Sequence, residues 1–206
     1  MSYRRRVTAA SLAGVVAAAL WWRAHPSACP YGQRWLLEIP RPLITRTRLL
    51  EILRPEAGER VLEVGPGSGH YAVAVAQRVA PGGRLDVLDI QPKMLDHTMA
   101  RAARLGLRTI HPQQGDAREL PYPDASFDAA YLVTVLGEVP DQTVALRELA
   151  RVVKPAGRIV DGELFGDPHW VSPRALERLA GAAGLRLECR VGSPLAYFAE
   201  LRRSAA

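Results

Sequence analysis

From residue 60 onward, short apolar runs alternate with longer stretches whose apolar positions recur every three or four residues. Val61-Leu62-Glu63-Val64 is brief, apolar and rich in β-branched residues, as a strand buried on both faces requires. Further runs of this kind occupy residues 84–90, 108–111, 127–135, 158–161, 185–191 and 195–201. The intervening period predicts helices over residues 69–79, 92–105, 141–153 and 172–183. Pro81-Gly82-Gly83 closes the first of these and Gly106 the second, while Ser172-Pro173 supplies a cap and first helical residue for the last. Alternating βα units of this length make an α/β fold, a doubly wound and mostly parallel sheet with helices on both faces. Gly192-Ser193-Pro194 joins the final two strands into a hairpin that adds an antiparallel edge.

Ahead of this pattern lie two different segments. Residues 1–28 combine Arg4-Arg5-Arg6 with an uncharged run over 7–22 that ends in Trp21-Trp22. That run spans ~24 Å as a helix against a hydrocarbon core of ~30 Å, so a short or tilted anchor at a membrane surface is one reading. A signal peptide shares the basic start, but Pro26-Ser27-Ala28 is a poor cleavage site, and a soluble helix packed on the domain would use the same residues. Residues 29–58 form a helical lead-in, broken at Pro40 and Pro42, in which Leu43, Leu49, Leu50 and Leu53 make an apolar stripe. The domain proper is expected over 59–203.

Composition changes this picture little. Apolar residues make up 48% and charged residues 23%, ordinary for a globular chain. The net charge of +6 comes almost wholly from arginine, since Lys93 and Lys154 are the sole lysines. No run interleaves basic and aromatic residues, which disfavours a nucleic-acid partner. Cys29 and Cys189 form neither a metal spacing nor a disulfide framework, so no metal is expected and a reducing, cytoplasmic setting suits the chain.

Candidate chemistry gathers at the carboxyl ends of the strands, where a doubly wound sheet binds ligands. The first strand runs into Gly65-Pro66-Gly67-Ser68-Gly69, a turn that lets backbone approach a ligand closely. The second ends in Asp89, twenty residues past Gly69, where a carboxylate can accept both hydroxyls of a ribose. Gln114-Gly115-Asp116-Ala117 follows the third and offers an acceptor for an adenine amine. The fourth ends around Thr134-Val135-Leu136-Gly137-Glu138. A nicotinamide-dependent oxidoreductase is the nearest rival. Its fingerprint wants glycine where this chain has His70, and Glu63 beside the turn disfavours a pyrophosphate.

With these motifs the stretch 61–162 resembles the class I S-adenosylmethionine-dependent methyltransferases, in the branch similar to the ubiquinone/menaquinone C-methyltransferases (methyltransferase type 11). The resemblance rests on the segment 62–69, on Asp89-Ile90, on Gly115-Asp116-Ala117 and on residues 149–157. It implies a Rossmann-like domain with S-adenosyl-L-methionine as cofactor. The implied contacts are Glu63 at the methionine end, the turn Gly65, Pro66, Gly67 and Gly69, Asp89 and Ile90 at the ribose, Asp116 and Ala117 at the adenine, and Thr134. Residues 134–141 depart from the Leu-His-His pattern common in the quinone enzymes.

The implied reaction is in-line displacement on the sulfonium methyl, so catalysis is mostly positioning and desolvation. A general base is needed only where the acceptor must lose a proton. By location the candidates are Glu138 and His169, with Asp167, His70 and Tyr71 behind them. Each has a structural alternative, Glu138 as a helix cap or ion-pair member and the histidines as packed residues. No Asn/Asp-Pro-Pro-aromatic run follows the fourth strand, which favours a small-molecule acceptor, lipophilic if the N-terminus meets a membrane. The alternatives are a non-catalytic S-adenosylmethionine-binding partner and, behind it, a nucleic-acid or protein methyltransferase.

Overall fold

The computed structural model describes residues 26–39 and 41–204. The basic and apolar segment 4–22, with the membrane role expected of it, lies outside the described residues. Among those described, no helix is long and apolar enough to cross a membrane.

Seven strands of the described residues form one sheet: β1 Arg60–Val64, β2 Arg84–Asp89, β3 Ile110–Gln114, β4 Phe127–Val133, β5 Val153–Leu164, β6 Leu185–Ser193 and β7 Ala196–Arg203. Their spatial order is β3-β2-β1-β4-β5-β7-β6. The first five run parallel, with Val61 opposite both Leu85 and Ala129. β7 is antiparallel to β5 and to β6. The hairpin therefore adds two antiparallel strands, and the later one takes the inner place.

The α-helices are α1 Arg46–Leu53, α2 Ala72–Val79, α3 Pro92–Arg104, α4 Gln142–Val152 and α5 Pro173–Ala182. Helices α1 to α3 cover one face through Leu49, Leu53, Val75, Val79 and Leu95. Helices α4 and α5 cover the other through Leu146, Leu149 and Leu176. Ser172 caps α5 by accepting the Ala175 N–H at 3.3 Å, and Asp141 caps α4 by accepting that of Val144 at 3.0 Å.

Several boundaries depart from the sequence reading. β3 runs to Gln114 and contains Pro112, which is tolerated because β3 is an outer strand. β5 begins at Val153 and includes Pro155 and Gly157, accommodated by a register shift against β4 between Phe127 and Ala129. β4 stops at Val133, since Thr134 takes a left-handed conformation with φ 55°. α2 starts at Ala72, the three residues before it forming a turn. The lead-in divides into a 3₁₀ helix, Tyr31–Glu38, and α1. Leu43 falls outside both and is exposed, so it is not part of the apolar stripe.

Two acids sit in the core beneath α4 and α5. Asp161 and Glu163 point from β5 into an apolar face; neither Asp161 oxygen has a partner, and one Glu163 oxygen accepts the Val171 N–H at 2.9 Å. Burial raises both carboxyls well above the ordinary range, which favours their neutral forms.

Candidate functional site

The turn after β1 needs glycine for its backbone alone. Gly65, Gly67 and Gly69 have φ of 69°, 53° and 71°, the left-handed region that side chains disfavour. A Cβ on Gly65 would lie 2.5 Å from Val135 Cγ2, and one on Gly67 would lie 2.9 Å from Leu37 Cδ1. The turn is tied to the neighbouring strand by the Gly65 N–H donating to Leu88 O at 2.8 Å.

Above it opens a cavity of about 440 Å³ across the carboxyl ends of β1, β2 and β4 and the loop after β3. The lead-in supplies its roof through Cys29, Leu37 and Arg41, among others. Gly65, Pro66, Gly67, Asp89, Ile90, Asp116, Ala117, Thr134 and Glu138 all line this one space, together with His70 and Tyr71. Four of the expected residues do not. Gly69 instead faces α3, where a Cβ would come 3.1 Å from Thr98 Cγ2, so it is the glycine that allows close helix packing. Glu63 is 2% exposed and lies beneath the turn rather than in the lining. Asp167 and His169 sit in the loop after β5, behind the 3₁₀ turn Leu136–Glu138. That loop packs so closely that a Cβ on Gly137 would fall 1.7 Å from His169 O.

Electrostatics distinguish the carboxyls. Asp89 accepts the Gln91 N–H at 2.8 Å, and burial lifts its pKa above the usual aspartate range. Asp116 is gripped by Arg118, with Nη2 to Oδ2 at 2.7 Å, which holds its carboxyl below that range. Burial pushes Glu63 up to about 8, and its Oε2 has no hydrogen-bond partner. Glu138 reaches about 8 as well, first through burial and then through the Asp167 carboxylate. One of its oxygens, Oε2, accepts the Cys29 N–H at 3.3 Å. His70 is lowered by burial and by the Arg46 charge, so its neutral form dominates.

Sequence reasoning missed the residues that fasten the roof. Gln91 accepts the Tyr31 N–H at 3.1 Å and donates to Cys29 O at 2.9 Å. Arg41 Nη1 donates to Thr134 Oγ1 at 3.2 Å. Only Gln91 carried a local signal, its place two residues past Asp89; nothing near Arg41 in sequence points to the site. Among the described residues no His, Cys, Asp and Glu cluster could hold a metal.

The donors fit an adenosyl ligand. Asp89 and Asp116 offer acceptors for ribose and base, and the side-chain-free turn at Gly65 and Gly67 brings backbone to the floor of the same cavity.

Comparison with known proteins finds similar sequences and folds. Residues 61–157 match the family described as "Methyltransferase domain". The fold is shared with a SAM-dependent methyltransferase from Aquifex aeolicus, which superposes with a TM-score of 0.77 at 20% identity, covering 84% of this chain and 98% of that one. The [4+2]-cyclase SpnF also shares the fold, with a TM-score of 0.68 at 20% identity over 78% of this chain and 80% of its own. In sequence the chain is 32% identical over 127 residues to a demethylmenaquinone methyltransferase of Listeria monocytogenes, 61% of this chain and 54% of that protein. The chain thus spans about half the length of the curated relatives it matches. Its central stretch is similar in sequence to methyltransferase domains.

Proposed function

We propose that this protein transfers a methyl group from S-adenosylmethionine to a small, lipophilic acceptor. The observation that carries the reading is the single cavity in which Gly65, Gly67, Asp89 and Asp116 meet Glu138 and apolar side chains such as Val135, Val139 and Leu37. The bound cofactor supplies an electrophilic sulfonium methyl. The chain's own part is to hold and to dry the site. Asp89 accepts the ribose hydroxyls, the base lies by Asp116 and Ala117, and the glycine turn lets backbone approach the ligand. The roof excludes water, which strengthens each of these polar contacts. Glu138 stands as the group able to take a proton from the acceptor. Similarity to quinone methyltransferases supports a lipophilic ring acceptor, and residues 59–203 are read as the catalytic unit.

Labelled cofactor tests the reaction directly. Incubation with a lipid extract should give labelled, extractable product; cofactor binding without any product would leave the non-catalytic alternative.

The pH profile tests Glu138. With its carboxyl raised to about 8, the base form is the minority species below that pH. The rate constant kcat/KM should therefore rise roughly tenfold per pH unit below about 8 and level off above it. Glu138→Gln should lower kcat by ~10²-fold and flatten that limb. An unchanged profile in the variant removes Glu138 from the chemistry.

The apolar run 7–22, with its arginines, is proposed to hold this cytoplasmic enzyme at a membrane surface where such acceptors reside. Full-length protein should partly sediment with membranes while a version lacking residues 1–24 stays in the supernatant; equal solubility rejects the tether.

A further inference from the structure

Seven large apolar side chains among the described residues are at least half exposed, and their placement is one-sided. Trp35, Ile39 and Leu43 belong to the lead-in that roofs the cavity. Ile90 directly follows β2 and Phe165 directly follows β5, both at the carboxyl ends of parallel strands. Leu195 reaches the same end from the hairpin: its carbonyl accepts the Phe165 N–H at 2.6 Å, and the next residue, Ala196, pairs with Leu164. Leu105 is the exception, at the far end of α3 where the chain turns back to the amino end of β3. Apolar side chains scattered singly need no explanation, but a set gathered around one cavity does.

Charge is divided along the same axis. At the amino ends of the strands, Asp86 holds both Arg60 and Arg84, Asp128 holds Lys154, and Glu59 holds Arg158. The lead-in is different. Over residues 29–48 it carries Arg34, Arg41, Arg46 and Arg48 against one acid, Glu38, a net charge of +3. Glu38 is itself taken by Arg101 at 3.3 Å. Arg41 turns inward to Thr134, within reach of the Glu138 and Asp167 carboxyls. Arg34, Arg46 and Arg48 make no salt bridge among the described residues: Arg34 lies over the Tyr31 ring at 4.5 Å, Arg48 donates to Leu43 O at 2.7 Å, and Arg46 is exposed. Two exposed acids at this end, Asp96 on α3 and Asp141 capping α4, stand on the helices rather than on the lead-in.

An apolar rim whose most exposed member is a tryptophan, flanked by arginines free of carboxylates, suits the headgroup layer of a bilayer. A groove for one protein segment would be a continuous strip. Here the apolar groups stand on separate segments, the lead-in, the ends of β2 and β5 and the hairpin turn, which a fluid surface can meet together.

We propose that the end of the protein bearing Trp35, Leu43, Phe165 and Leu195 docks onto an anionic lipid bilayer, where Arg34, Arg46 and Arg48 meet lipid phosphates. This face is built on the domain and its lead-in, so it acts apart from any tether in residues 7–22. Docked in this way, the cavity lies directly beneath the lipid, and a lipophilic acceptor reaches it without crossing water. That use rests on the methyl-transfer reading given above; the docking itself does not.

Sedimentation of the full chain without cofactor tests it, with vesicles of phosphatidylcholine and of an equal mixture with phosphatidylglycerol. The wild type should bind the anionic vesicles at least ~10-fold more tightly. Trp35→Ser/Leu43→Ser/Phe165→Ser should weaken that binding about 10- to 100-fold. Leu105→Ser, the same kind of change at the opposite end, should stay within about twofold of the wild type. Arg34→Gln/Arg46→Gln should lose about 10- to 30-fold on anionic vesicles and leave phosphatidylcholine binding unchanged. Circular dichroism should be unaltered throughout, since every side chain replaced reaches the surface. Wild-type protein that ignores anionic vesicles overturns the proposal and gives this face to a protein partner. A triple variant that binds like the wild type also overturns it, leaving residues 7–22 as the sole contact. Equal losses in the triple variant and in Leu105→Ser would mean indiscriminate adhesion, with the same result. Labelled product in the cofactor assay is read independently, so failure of methyl transfer and failure of docking are told apart.

Discussion

Replacing Asp89 with alanine is expected to lower affinity for S-adenosylmethionine by about 10²- to 10³-fold in calorimetry, with circular dichroism unchanged. Asp89 is 8% exposed at the end of β2, so its carboxylate has few waters to surrender when a ribose arrives. Two hydroxyls donating to one desolvated carboxylate are each worth about 1.5–3 kcal/mol. The fold should survive, because within the protein Asp89 mainly accepts the Gln91 N–H at the start of α3. Asp89→Asn retains one acceptor oxygen and should lose less. Wild-type affinity in the alanine variant would dismantle the whole site assignment, not just this contact.

Gly137→Ala carries the largest expected cost in stability, a fall in Tm of about 6–12 °C for an overpacking penalty near 3 kcal/mol. The added methyl would fall 1.7 Å from His169 O and 2.6 Å from His169 C. Both are backbone atoms that no rotamer change can move aside, so the loop after β5 must shift. Because Glu138 adjoins Gly137, the shift should also weaken the Cys29–Glu138 contact. Gly181→Ala in α5 is the matching control, as its Cβ would meet nothing within 4 Å. That change should raise Tm slightly, since alanine is the better helix residue by about 1 kcal/mol. A Gly137→Ala protein that melts with the wild type would mean the loop is soft enough to yield.

Much of the fold could be read from the chain because its strands and helices each have one period and clear stops. The glycine turn, Asp89 and Asp116 were legible for the same reason: each sits at a fixed offset from a strand end. What escaped was set by partners distant in sequence. Pro112 argues against a strand until β3 proves to be an outer one. Pro155 and Gly157 conceal the first half of β5, which only its register shift against β4 makes room for. Glu63 and Gly69 carry motif positions yet serve the layer below the cavity, a difference of depth that spacing does not encode. Arg41 lies between two prolines with no pattern around it, and only the packing of the lead-in over β4 brings it to Thr134.

The placement of β7 bears on how the protein is made. Its residues, 196–203, complete hydrogen bonding to β5 on one side and to β6 on the other. A ribosome delivers β5 well before them, at roughly 5–20 residues per second, so its outer edge emerges with nothing to pair against. Both neighbours of β7 precede it in the chain, so β7 joins the sheet by insertion between them rather than by extension at an edge. Asp161 and Glu163 lie on β5 opposite Ala199 and Tyr197 of β7, so pairing with β7 contributes to the burial that raises both carboxyls. Closing the sheet favours proton uptake by these carboxyls, so the pairing of β7 is expected to be more stable in mildly acidic medium than in alkaline.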